Sequence, residues 1–267
     1  MRKIPAFLSA LILGITSVLF LVGLSWAFAK AIVKETALTI GGIEKLRALH
    51  DVEYKYTYLE KHTGKKDISI ERYIFDGQLS WGRYLIREKN VLTDQPGEVI
   101  QGFNGKETWV SLNGRRLPDP KAIGRADFTR RTNFHWFAMM FKLVGPGVTY
   151  MYEGSKHVNG QDYNLVRVSF ESGGRDGQDR NLLYINAKTR LVDQFLFIAM
   201  DLGRTEPFLM KVRYEEVDGI RVPIFRSYAA SNWEGSIKEP ANWVDEISEE
   251  IKFNNGFSPD LFEAPKR

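Results

Sequence analysis

The stretch DVEYKYTYLE, residues 51–60, sets Val52, Tyr54, Tyr56 and Tyr58 on one side of an extended chain and Glu53, Lys55 and Thr57 on the other. Alternation with a period of two is the mark of a β-strand that has one face in a core. The same texture returns in ISIERYIFDG, LSWGRYLIRE, KETWVSLNG, VTYMYEG, YNLVRVSFES, NLLYINA, RLVDQFLFIAM, PFLMKVRYEEV, RVPIFRSYAA and WVDEISEEIKFN. Between them, FDGQ, VNGQD, NAKTR and VDGIRVP carry the Gly, Asn and Asp of tight hairpins. No regular strand–helix alternation calls for a parallel sheet. The pattern predicts a mainly β (α+β) fold built on one large antiparallel meander. A sheet of about ten strands cannot stay flat, because strand twist accumulates, so it curls and acquires a concave face.

The amino terminus departs from this texture. Arg2 and Lys3 precede an apolar stretch, Ile4 to Ala29, that contains no charge. Residues 1–29 therefore read as a signal peptide or N-terminal membrane anchor. Ala27-Phe28-Ala29 offers a small-x-small cleavage site, while the run is also long enough to span a bilayer. With the positive charges ahead of it, either outcome puts the body outside the inner membrane, in the periplasm or on the periplasmic face. Residues 30–267 read as a single domain. Its opening segment, TALTIGGIEKLRALH, spaces Ile43, Leu46 and Leu49 behind Gly41-Gly42 as one short amphipathic helix.

Removing the leader takes away Arg2 and Lys3 and no acid, so the +4 of the whole chain falls to +2, which gives no field for nucleic acid. The chain has no cysteine. That excludes disulfides, thiolate metal sites, a thiol nucleophile and a lipid-modified cysteine.

The sharpest local signal is NFHWFAMMFKLVGPG, residues 133–147. It is too short and too interrupted by Lys142 to cross a membrane. As a helix capped by Thr132 or Asn133 it carries an unusually wide apolar face, and Gly145-Pro146-Gly147 ends it. Two readings bury the same residues: a core helix that plugs the curled sheet, or a lid over an apolar cavity, in which Met139 and Met140 supply deformable surface. Upstream, NGRRLPDPKAIGRADFTRRTN reads as a basic loop from which Arg125, Arg130 and Arg131 could hold phosphate or carboxylate head groups.

Enzyme signatures are wanting. The histidines at 50, 62, 135 and 157 have no metal-ligand spacing, and the serines in EGSKH and EGSIK lack the second glycine of a nucleophile elbow. GGRDGQDRN reads as a hairpin turn and DEISEEIKF as the wet face of a strand. No catalytic residue, cofactor or metal site is assigned.

FNGKETWV at 103–110, HWFAMMFKLVGPGVTYMYEG at 135–154, VNGQDYNLVRVSF at 158–170, LLYINAKTRLVDQFLF at 182–197 and the ending IKFNNGFSPDLFEAPK together resemble an uncharacterised family of exported proteins related to the LolA/LolB-like lipoprotein-carrier group. The resemblance implies a strongly curved antiparallel half-barrel whose concave side is covered by helices and holds acyl chains. The expected function is then that of a non-enzymatic envelope protein that binds a lipid, an acylated protein or another hydrophobic molecule. Its cavity would be lined by Trp81, Tyr84, Trp109, Phe134, Trp136, Phe137, Met139, Met140, Phe141 and Leu143. An envelope protein partner is possible. A structural or interaction module with a filled concavity is the alternative, and an enzyme on the same scaffold comes third. The tail pair Leu261-Phe262 is expected to insert as a terminal apolar plug.

Overall fold

The computed structural model describes residues 25–170, 181–198 and 205–266. Two helices lead, α1 (residues 25–40) and α2 (Ile43–Arg47). A first meander follows: β1 (Asp51–Glu60), β2 (Lys66–Ile74), β3 (Leu79–Arg87), β4 (Val99–Phe103), β5 (Thr108–Leu112) and the short β6 (Arg115–Arg116). The long helix α3 (Pro120–Lys142) leads into a second meander: β7 (Val148–Val158), β8 (Gln161–Phe170), β9 (Asn181–Asn186), β10 (Val192–Phe197), β11 (Phe208–Val217), β12 (Ile220–Ala230) and β13 (Val244–Phe253). All thirteen strands form one antiparallel sheet in the order β6-β5-β4-β3-β2-β1-β13-β12-β11-β10-β9-β8-β7. The sheet does not close, and it curves into a half-barrel.

This order explains where α3 lies. β6 and β7 are neighbours in sequence but opposite edges of the sheet, so the link between them must cross its full width. At 1.5 Å per residue the 23 residues of α3 span about 35 Å. The pairing of β13 with β1 joins the two meanders.

Three connections are two-residue turns with both residues at positive φ: Asn113-Gly114, Asn159-Gly160 and Asp218-Gly219. This is the turn whose twist matches the flanking strands, and Asn or Asp followed by Gly tolerates it at least cost. VNGQD and VDGIRVP are two of the three.

The eleven segments with strand texture all lie on strands, whereas β4 and the two-residue β6 carry no such segment. Two helices are longer than their sequence signals. α1 buries Ala29, Ile32, Val33, Thr36, Ala37 and Ile40, a three- and four-residue stripe against the second meander. The expected boundary between residues 29 and 30 therefore falls inside a packed helix. The rest of the apolar run, residues 4–24, lies outside the described residues, and among these no helix is long and apolar enough to cross a membrane.

α3 begins at Pro120, not at residue 132 or 133. Asp119 is its cap, the carboxylate accepting from the Lys121 N–H at 2.9 Å, with Pro120 at the first helical position. The stretch read as a basic loop is thus largely the first half of this helix. Its inward residues are Ala122, Ala126 and Arg130, which give a hydropathy pattern nothing to detect.

The opposite, convex face is also covered. Trp233 and Ile237 pack on Tyr163, Leu182, Tyr184, Leu196 and Leu209 of the second meander. The tail, through a short 3₁₀ turn at Pro259–Phe262, covers part of the first.

A compartment beneath helix α3

Along its first half α3 runs close to the strands, nearest β5, β4 and β3. Small side chains allow this. Ala122 and Ala126 pack with Tyr84, Val99 and Val110, and Thr108 donates to Asp127 at 2.6 Å. The half ends at Arg130, which is fully buried and forks onto Glu71, also fully buried, with Nη1 to Oε2 at 2.6 Å and Nη2 to Oε1 at 3.0 Å. Nη2 also donates to the Tyr84 hydroxyl at 2.9 Å, and that hydroxyl donates to Gln101 at 2.9 Å. Ser69 and Tyr73 donate to Glu71 at 2.6 and 2.9 Å, and Tyr54 meets Tyr73 at 2.9 Å. Gly82 makes room: a Cβ there would sit 2.2 Å from the Arg130 Nη1.

Burial pulls the Arg130 guanidinium down, but the Glu71 charge outweighs it and holds the pKa well above its ordinary value. Burial first, with the Glu71 charge added, pushes up the hydroxyls of Tyr54, Tyr73 and Tyr84, so all three remain protonated donors. Arg130 is therefore an internal clamp between α3 and β2, and the expectation that it contacts head groups is corrected. Arg125 is exposed. Arg131 is exposed as well, pairs with Asp127 at 2.9 Å and lies over the Phe103 ring at 4.5 Å.

The second half of α3 meets the sheet through large side chains. Phe134, Phe137, Ala138, Met139, Met140 and, just past the last turn, Leu143 are all buried in the main core, while Trp136 and Phe141 are half-buried at its margin. Phe137 stacks on Tyr54 at 4.5 Å, and Phe134 meets Tyr73 edge-on at 5.2 Å. Trp136 faces Phe197 at 4.6 Å, Phe197 stacks on Phe208 at 5.5 Å, and Phe208 meets Tyr228 at 5.5 Å. The main-chain links are few: the Trp136 carbonyl accepts from Arg226 at 3.3 Å, and the Leu143 carbonyl from the Tyr150 hydroxyl at 2.6 Å. Arg226 in turn pairs with buried Glu246 at 2.8 Å.

Eight of the ten expected lining residues thus gather on the concave side: Phe134, Phe137, Met139, Met140 and Leu143 in the main core, Trp136 and Phe141 at its margin, and Tyr84 beneath the first half of α3. Trp81 and Trp109 do not join them. β3 alternates, so Ser80, Gly82 and Tyr84 face α3 while Trp81 points the other way. The same holds in β5, where Thr108 and Val110 face the helix and Trp109 does not. Both tryptophans pack on the convex side around Phe262, and Trp109 Nε1 donates to the Phe262 carbonyl at 2.8 Å. Phe262 is completely buried there, as expected of a terminal plug.

The sequence reading missed a belt of polar residues across the concave face. β2 turns Ser69, Glu71 and Tyr73 inward and leaves Ile68 and Ile70 half-buried on the other side, so its hydropathy alternation runs opposite to its burial. β13 does the same with Glu246 and Ser248. Asp245, on the other face, is buried too and accepts from Ser227 at 2.5 Å. DEISEEIKF is therefore not a wet strand face at Asp245 and Glu246. A sequence signal existed only in retrospect, and only for Arg226, which follows Ile224 and Phe225; Arg130 lies in a basic stretch that marks nothing.

No model of a known protein family matches the chain, and no curated protein does. Solved structures do. A crystal structure of a DUF1329 family protein from Desulfovibrio piger covers 88% of this chain and 97% of its own, at 14% identity and a TM-score of 0.53. That of a LolA superfamily protein from Nitrosomonas europaea covers 88% and 97% at 12% identity, with a TM-score of 0.51. What is shared is the fold. The resemblance read from the sequence thus points to the right architecture, the LolA-type curved sheet with its covering helix.

Proposed function

We propose that this chain is an exported envelope protein that holds a lipid, an acylated protein or another hydrophobic molecule on its concave face, as a non-enzymatic carrier. The observation that supports this most directly is the contrast within α3. One half is clamped to the sheet by a buried ion pair, while the other rests on a layer of Phe, Met and Trp side chains. Such a layer can re-pack around an inserted chain, because Met is unbranched and flexible and aromatic stacking tolerates displacement. The fold shared with a LolA superfamily protein, the group that the sequence resembles, lends support to the same reading.

A second reading has its own support. Phe137, Met139, Met140 and Leu143 are at most 2% exposed, as in a concavity that is simply filled, and this favours an interaction module. One variant separates the two. Met140→Lys in a carrier abolishes binding of the uncharged dye N-phenyl-1-naphthylamine while the circular dichroism stays native, since the second half of α3 shifts to expose the charge. In a filled module the lysine is buried without a partner, the domain loses several kcal/mol, and the wild type binds no dye.

For localisation, we propose that everything from α1 onward lies outside the inner membrane behind the apolar run that starts at Ile4, with residues 25–29 kept as part of the domain because Ala29 is completely buried. A periplasm-active reporter fused after Arg267 tests the first part, and mass measurement of the exported chain tests the second.

A further inference from the structure

On the concave face of β9, Asn181 is completely buried, and among the described residues neither its Oδ1 nor its Nδ2 has a hydrogen-bond partner. Its direction is fixed by register. The directly paired residues are Val168 on β8 and Phe197 on β10, both in the main core, and Leu183, two residues along β9, points the same way into that core. Phe197 is also the ring that Trp136 covers from α3 at 4.6 Å. A primary amide that gives up its water and receives nothing in return is destabilising, because the desolvation of each unpaired group is not offset. At a position where Leu would pack without cost, that is an expensive residue, and its amide is aimed into the layer that would open to admit a ligand.

We infer that Asn181 is the polar anchor of the compartment, and that it takes the uncharged junction of an acyl chain, in which a carbonyl stands next to an O–H or N–H. This rests on the carrier reading above. The chemistry follows from the amide: Nδ2 donates to the ligand carbonyl, Oδ1 accepts from the neighbouring hydroxyl or amide N–H, and both unmet groups are satisfied at once. A charged head at this point would be buried against a neutral partner, which disfavours it. A plain hydrocarbon would leave the amide unpaired. Esters and amides of fatty acids with a free hydroxyl or N–H are the matching class.

The test uses the full chain and displacement of N-phenyl-1-naphthylamine by two competitors, 1-monooleoylglycerol and 1-octadecene. For the wild type, the glyceride displaces the dye at least tenfold better than the alkene. In Asn181→Leu, which keeps the branched shape with a larger volume and removes both polar atoms, the glyceride weakens about tenfold, the loss of one to two hydrogen bonds, while dye and alkene bind as before. Asn181→Ala gives the same ordering and serves where Leu does not fold. Equal displacement by the glyceride in wild type and variant, with the dye still bound, overturns the Asn181 assignment and leaves the carrier reading intact. A wild type that binds no dye overturns both.

Discussion

The two halves of α3 cover the same sheet by opposite means. From Pro120 to Arg130 the inward side chains are alanines and one arginine, the backbone runs close to β3, β4 and β5, and a buried guanidinium–carboxylate fork fixes the register. From Phe134 onward they are mostly phenylalanine and methionine, packed in the main core. A buried ion pair contributes little net stability against a well-packed apolar substitute, but it is unforgiving of displacement, because separating the partners leaves charges without water. Apolar packing is stronger in sum and indifferent to small slides. The first half is therefore a fixed point and the second half the part that can yield. Amide hydrogen exchange checks this directly: amides of residues 134–142 are expected to open at lower free energy than those of 122–130.

The largest effect should come from attacking the fixed point. Arg130→Met leaves Glu71 buried with only Ser69 and Tyr73 donating to it, and the expected loss is about 3–5 kcal/mol in urea unfolding. Adding Glu71→Gln should recover part of that, because an amide is cheaper to bury than an unpaired carboxylate. A loss under about 1 kcal/mol for Arg130→Met would mean the fork is not a clamp, and the contrast between the halves would collapse.

The next largest lies behind the fixed point. β3 and β5 carry α3 on one face and Trp81, Trp109 and the tail on the other, so the clamped half is backed by the plug at Phe262. Phe262→Ala should cost about 3 kcal/mol by opening a cavity between the two tryptophans. Dye binding beneath the second half should survive it. An unchanged melting temperature would show that the tail contributes nothing to the clamp.

These two sites differ in how they could be read from sequence. The plug was legible, because an isolated Leu261-Phe262 pair among prolines and charges has few other uses. The clamp was not. β2 has Ile68 and Ile70 alternating with Ser69 and Glu71, and hydropathy alone places the isoleucines inside. What inverts the strand is a long-range partner, Arg130, 59 residues away, and no local period encodes that. The same inversion put Trp81 and Trp109 in the expected lining, since large aromatics suit a cavity as well as they suit a plug. Eleven of the thirteen strands, the meander and two of the Asn-Gly or Asp-Gly turns came through because they rest on local chemistry: alternation, and Asn-Gly or Asp-Gly at positive φ. α1 was hidden by its own apolarity, which merges with the leader.

The smallest expected effect refines the comparison by pH. Asp51, at the start of β1, is completely buried and gathers the tail. It accepts from the Asn255 N–H at 2.7 Å and side-chain amide at 2.9 Å, from the Gly256 N–H at 2.9 Å and from the Phe257 N–H at 3.0 Å. Burial pushes its pKa up, but the Asn255, Phe257 and His50 hydrogen bonds outweigh burial and hold it below the ordinary value. A carboxyl with a depressed native pKa stabilises the fold fully above its unfolded value, roughly pH 4, and that contribution is lost as the pH falls through the lower native value. Asp51→Asn removes the charge and turns a donor toward backbone N–H groups, so it should cost about 2 kcal/mol at neutral pH. The gap between wild type and variant should then shrink below about pH 4, because the wild-type carboxyl is protonated there. Dye binding at neutral pH should match the wild type, as the tail backs only the clamped half. A gap that stays constant into acid would show that Asp51 is not titrating in the folded state, and a loss of dye binding would show that the two halves of α3 are coupled through the sheet.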